Sequence, residues 1–176
     1  MPEKSDFETF LLSGQKVYKD DERVEACGVL DELSSLLGVA KSFLDEEDNI
    51  SKILTEIQGH LFMIGAQISG LGAERGIPRL GEKAIQFLED IRGKYEPRLP
   101  KLKSFIYPGG CKAAAFLHLA RAVARRAERR AIALSRRFEV DPLVVRYLNR
   151  LSTILFILAR YVNLREGVGE STWIRS

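Results

Sequence analysis

Arginine is the side chain this sequence concentrates. Seven arginines lie between Arg121 and Arg137, and Glu128 is the one acid in that stretch. A guanidinium stays charged at physiological pH, and its planar fork of donors matches phosphate oxygens. At about 100° per residue along a helix, Arg121, Arg125 and Arg129 fall on one ridge, one turn apart. Such a ridge can follow a polyphosphate, and the same spacing also suits a solvated basic face. Arg126 and Glu128 flank the ridge, and Glu128 is placed to hold one arginine through an i−3 or i+1 pairing. The turn Tyr107–Gly110, YPGG, leads into this helix, and its glycines let backbone approach a ligand closely.

Other reactive groups are scarce. His60 lies among apolar neighbours and His118 just precedes the ridge; each reads as a packed helix residue rather than a ligand. Cys27 and Cys111 have neither metal-ligand nor redox spacing. No Ser-His-Asp, Cys-His or paired-carboxylate arrangement stands out. A reaction on this chain must therefore run without a dedicated histidine base, through positioning and electrostatics.

Positioning falls to five helical stretches. The first spans about Val24–Leu44 with Cys27, Leu30, Leu33, Leu37 and Ala40 as its apolar stripe. The second spans about Asn49–Ile68 with Ile53, Ile57, Leu61 and Ile64, and the third about Gly81–Tyr95 with Ile85, Leu88 and Ile91. Pro97 and Pro100 then break the chain. The fourth, about Cys111–Phe138, gathers Phe116, Val123, Ala127 and Leu134 on a narrow arc roughly opposite the arginine ridge. The fifth begins near Pro142 with Asp141 as its cap. It carries a core face of Leu148, Leu151, Leu155, Leu158 and Val162, and a polar face of Asn149, Thr153, Arg160 and Asn163. No strand pattern is visible, so the class is all-α, an antiparallel bundle with short loops.

Composition sets the outer limits. At 176 residues, with 45% hydrophobic and 29% charged residues, the chain suits one globular domain rather than a disordered one. The net charge of +3 is small. Charges interrupt each apolar run before the roughly 18 residues a bilayer span needs. MPEKSDFETF lacks the apolar centre of a secretory signal. A cytoplasmic chain with free thiols, and no membrane partner, is the expectation.

Several of these segments occur together and in order: KDDERVEACGVLDELSSLLG, FIYPGG, RAVARRAERR, YLNRLSTILFILARYVN and a late Trp173. In that order they resemble the PduO-type ATP:corrinoid adenosyltransferases, from about Lys19 to Trp173. The pattern R-x3-R-R-x-E-R, with Asn149 following 24 residues after Arg125, is the most specific part. The resemblance implies one domain over residues 1–176, a five-helix bundle of ferritin-like up-and-down type. It implies a homotrimer with active sites between neighbouring subunits. The implied reaction transfers the 5′-deoxyadenosyl group of ATP to the cobalt of a reduced corrinoid such as cob(I)alamin, releasing triphosphate, with Mg²⁺ assisting.

Carried over by position, Lys19, Arg125, Arg126, Glu128, Arg129 and Asn149 are implied to contact ATP. Asp31 and Arg121 match an acid–arginine pair bridging subunits near the corrinoid, and with Arg125 they are implied to carry catalysis. Phe105 matches an aromatic that crowds the lower axial face of cobalt and so eases reduction of Co(II) to Co(I). A corrinoid reductase or a cobalamin-dependent enzyme would be the natural protein partner. A basic helical nucleic-acid binder is the competing class, but a trimer would bury the ridge at subunit boundaries.

The chain departs from the family in residues 1–18. The usual T-G-D-x-G-x-T phosphate loop corresponds to Lys4–Thr9, KSDFET, which lacks both glycines. Asp6 and Thr9 preserve fragments of it, while Phe7 and Glu8 are poor substitutes for a backbone cradle. A catalytically impaired trimer that binds ATP or corrinoid as a sensor or carrier is therefore the second expectation.

Overall fold

A computed structural model of the chain describes residues 6–70 and 79–173. Five helices carry it: α1 (Glu22–Lys41), α2 (Asn49–Ile68), α3 (Glu82–Tyr95), α4 (Lys112–Leu134) and α5 (Pro142–Arg165). The boundaries follow local chemistry. Asp21, Asp48 and Asp141 each cap a helix by accepting a backbone N–H two residues on, at 2.9, 2.7 and 2.9 Å. Pro142 supplies a first-turn φ and lacks the N–H that would go unpaired there. α1 ends at Lys41 rather than near Leu44, and α4 ends at Leu134 rather than near Phe138. In both places the last backbone bonds tighten into i−3 turns, which apolar spacing does not reveal.

The expectation of no strands is corrected by a short hairpin, β1 (Glu8–Phe10) antiparallel to β2 (Lys16–Tyr18), with Thr9 opposite Val17. Three-residue strands are too short to show a period of two. Gly14, at φ +86°, closes the turn, and an ion pair between Lys16 and Glu8 ties the strands. The segment that departs from the family loop is thus partly a hairpin; Lys4 and Ser5 lie outside the described residues.

α4 is the central helix, packed against both α1 and α5; α2 covers α1 and α3 covers α5. Six of the ten buried residues of α4 are alanines. Small side chains let neighbouring axes approach closely, and leucines of the flanking helices fill the space between. Leu33, Leu37, Leu54, Leu148, Leu151 and Leu155 are fully buried. The expected stripes are inside, except that Cys27, Ile53 and Phe116 lie at the margin and Ile50 and Leu54 take the inner positions of α2. Among the described residues α5 is the one helix long and apolar enough to cross a membrane, by length and composition. Its apolar face is buried in the bundle, where Tyr147 and His60 form a hydrogen bond at 3.0 Å.

The turn before α4 is locked from α5. Buried Asn163 donates through Nδ2 to Gly109 O at 2.9 Å and accepts through Oδ1 from the Cys111 N–H at 3.0 Å. Gly110 sits at φ +115°, and a Cβ placed there would lie 2.0 Å from Asn163 Oδ1. Gly110→Ala should therefore cost about 2 kcal/mol or more, from backbone strain plus a broken buried hydrogen bond. Gly109→Ala, with no atom within 4 Å of the new Cβ, should melt close to the parent. Thermal denaturation of the pair checks this, and equal losses would refute the lock.

Burial lowers the pKa of both His60 and His118 below the usual imidazole value. The unfolded chain then binds more protons than the folded one just below the ordinary imidazole pKa, so stability rises with pH through that window. Urea midpoints should fall as pH drops from neutrality through that value. A double variant, His60→Gln with His118→Gln, should show a shallower decline. An unchanged slope would assign the acid sensitivity to carboxylates.

Candidate adenosyl-transfer site

Two cavities follow one another along the groove between α4 and α5. The first, about 680 Å³, is walled by Phe105 and Ile106 from the loop before α4, by His118, Arg121 and Arg125 from α4, and by Thr153 and Phe156 from α5. The second, about 490 Å³, is walled by Glu128, Ile132, Arg146, Asn149 and Arg150. Arg125 of the first wall and Glu128 of the second are three residues apart, about 4.5 Å along the helix axis. The geometry suits two ligands side by side, one in a mostly apolar cavity and one against a charged wall.

The arginines of α4 and of the turn after it divide into two rows. Arg126, Arg130 and Arg137 turn toward α1, where they pair with Glu32, with Glu25 at 3.2 Å and with Glu22 at 2.7 Å. Arg121, Arg125 and Arg129 turn the other way; among the described residues none of them makes an ion pair, while Arg125 and Arg129 are exposed. Arg121 is half-buried, with its guanidinium carbon 6.0 Å from the centre of the Phe156 ring and its Nε buried with no partner among the described residues. The structure thus leaves Arg126 off the ridge that sequence spacing assigned to phosphate. Its pairing with Glu32 went unseen because the two residues are 94 positions apart.

Glu128 holds no arginine, in contrast to the expected i−3 or i+1 pairing. Its Oε1 accepts a hydrogen bond from Asn149 Nδ2 at 2.8 Å, which joins two of the expected nucleotide residues across the groove. The long separation from Arg125 to Asn149 thereby acquires a geometric meaning: it brings α5 back beside α4.

Phe105 stands at the mouth of the first cavity with 79% of its surface exposed. His118 forms the cavity's inner wall, fully inside the bundle and edge-on to Phe156 at 5.9 Å. Burial first, then the positive charge of Arg121, holds its pKa low, so the ring is neutral. Among the described residues its Nδ1 has no partner, so the expected packed histidine is only partly satisfied. Sequence reasoning gave His118, Ser152 and Thr153 no place in this wall.

Asp31 is elsewhere. It is exposed on α1 and lines a separate 200 Å³ cavity with Leu12, Cys27, Leu30 and Phe62, so one chain does not bring it to Arg121. Lys19 is exposed just before the cap of α1, an end that Arg137 and Phe138, in the turn after α4, reach through Glu22 and Arg23. Thr9 is half-buried in the hairpin.

The family model described as cobalamin adenosyltransferase matches residues 3–162. The chain is 43% identical over 169 residues to a corrinoid adenosyltransferase of Bacillus subtilis, covering 94% of this chain and 86% of that one. It is 38% identical over 168 residues to the corrinoid adenosyltransferase of Mus musculus, covering 92% and 71%. A variant PduO-type ATP:corrinoid adenosyltransferase from Lactobacillus reuteri, solved in complex with cobalamin and ATP, superposes with a TM-score of 0.87 at 34% identity over 97% of this chain and 93% of that one. A bundle whose central helix presents Arg121 and Arg125 to one cavity and Glu128 to the next, matched at this level along nearly its whole length, belongs to the cobalamin adenosyltransferase family.

Proposed function

We propose that the chain transfers the 5′-deoxyadenosyl group of ATP to the cobalt of a reduced corrinoid. The observation that carries this reading is the pair of adjoining cavities, the first lined by Arg121 and Arg125 of the unpaired ridge and the second by Glu128 and Asn149. In the reaction, a Co–C5′ bond forms as the C5′–O bond breaks, and triphosphate leaves with the electron pair. Co(I) is the nucleophile, so the protein removes no proton. Its tasks are to align C5′ with cobalt and to meet the charge gathering on the leaving group.

Arg125 and Arg129, free of carboxylate partners, are offered to the phosphates together with Lys19. Asn149, fixed by Glu128, and Thr9 complete the nucleotide side. Arg126 contributes there only by exchanging Glu32 for a phosphate. Mg²⁺ would ride mainly on the phosphates of ATP, whose charge it helps to neutralise. The first cavity takes the corrinoid, with Phe105 against its lower axial face.

Assembly is part of the reading. Asp31 and Arg121 line different cavities of one chain, and Arg121 Nε is buried with no partner among the described residues. A neighbouring copy in a homotrimer supplies the missing carboxylate. The lack of both loop glycines in KSDFET supports a second reading, a trimer that binds the ligands but turns over slowly.

Mixing the protein with reduced cobalamin and ATP should produce the absorbance of adenosylcobalamin; binding of both ligands without that change would favour the second reading. Arg125→Ala should lower kcat/KM tenfold or more, since charged hydrogen bonds contribute about 1.5–3 kcal/mol. Arg136→Ala, exposed at the end of α4, should stay within about twofold of the parent on the same grounds. Equal losses would point to general surface charge. Sedimentation should give three times the 19.8 kDa chain mass, and a stable monomer at micromolar concentration would defeat the shared-site model.

A further inference from the structure

Phe105 lies in a stretch between the three-residue 3₁₀ turn Glu96–Arg98 and α4 whose one ladder contact is a bridge between Ile106 and Thr172. An exposed aromatic on such a stretch needs something to hold it, and the chain's own C-terminal tail does so. The Tyr107 N–H donates to Ser171 O at 2.8 Å, and the Trp173 N–H donates to Phe105 O at 2.7 Å. The Trp173 ring meets the Phe105 ring edge-to-face at 6.5 Å.

Two backbone bonds and a ring contact are a weak hold on an exposed tail. The anchor lies one residue before it. Arg160, from the interior of α5, donates through Nε to Glu170 Oε1 at 2.7 Å and through Nη2 to Glu170 Oε2 at 3.1 Å. Nη2 also donates to Pro100 O at 2.8 Å. The side chains are only 7% and 19% exposed, so either charge alone would be costly there. One guanidinium therefore ties α5 to the start of the loop and to the root of the tail. It also lies 5.8 Å from the centre of Phe156, a wall of the same cavity.

An apolar plug would hold the tail as firmly. A forked, two-point ion pair adds a fixed register, which matters only where something downstream must be placed. We infer that Arg160 and Glu170 are positioning residues for the corrinoid side of the site: their ion pair straps residues 171–173 across residues 105–107 and so fixes Phe105 at the cavity mouth. This rests on the reading of the first cavity as the corrinoid site.

Glu170→Gln tests it. The amide keeps one acceptor but turns an NH₂ toward the guanidinium, so the strap should loosen. Amide hydrogen exchange at Tyr107 and Trp173 should accelerate together, tenfold or more, with the core of α5 unchanged. Emission of Trp173, the one tryptophan in the chain, should shift to longer wavelength. KM for reduced cobalamin should rise fivefold or more while KM for ATP stays within twofold. Should Glu170→Gln fail to fold, Trp173→Pro removes the donor to Phe105 O while leaving the ion pair in place, and should give the same one-sided loss. Unchanged exchange, or a loosened strap with cobalamin KM unaltered, or both KM values rising in step, would overturn the inference. A parent protein that binds no cobalamin would defeat the functional reading and the cobalamin half of this one, while the exchange data would still judge the strap by itself.

Discussion

Everything in this molecule is arranged around the close approach that alanine permits on α4. A helix packed on two sides must be slim on its buried face, and Ala113, Ala114, Ala120, Ala124, Ala127 and Ala131 make it so. Bulk is supplied by leucines of α1 and α5, the two helices packed against the thin one. The consequence is functional as well as structural. With its core face occupied by methyl groups, α4 can devote both outer edges to arginine without losing its place in the bundle.

Those two edges pull in opposite directions. Like charges at i, i+4 destabilise a helix by a few tenths of a kcal/mol each, and Arg121, Arg125 and Arg129 are spaced in that way. On the other edge Arg126, Arg130 and Arg137 meet acids of α1, each pair exposed and therefore worth about 0–1 kcal/mol. The second row offsets the first to a similar order. A polyphosphate laid along the unpaired row would remove the repulsion, so nucleotide binding and bundle stability are linked in sign.

The helical framework was legible because every helix carries an apolar stripe, to which α5 adds the Asp141 cap and a Pro at its first turn. The hairpin was not, because Thr9 and Val17 sit in strands of three residues with no room for alternation. Within the site, the Arg121–Arg125–Arg129 ridge followed from helical angle alone, which is a local property. The diversion of Arg126 to Glu32 and of Glu128 to Asn149 depends on which helices become neighbours, which no spacing along one helix contains. Arg160 and Asn163 illustrate the same limit. Both read as part of a polar face, yet both are buried, because loop backbone comes down to meet them.

Asn163 also shows how narrow the choice at one position becomes. Leucine and aspartate have nearly the shape of asparagine, but the site needs one acceptor and one donor, each on a set side. Leucine would leave a buried amide and a buried carbonyl unpaired. Aspartate would keep the bond from Cys111 and turn an oxygen toward the Gly109 carbonyl, setting acceptor against acceptor. Of the three isosteres only the amide fits, and only in one of its two flip states, so the hydrogen-bond network itself identifies which side-chain atom is oxygen and which is nitrogen.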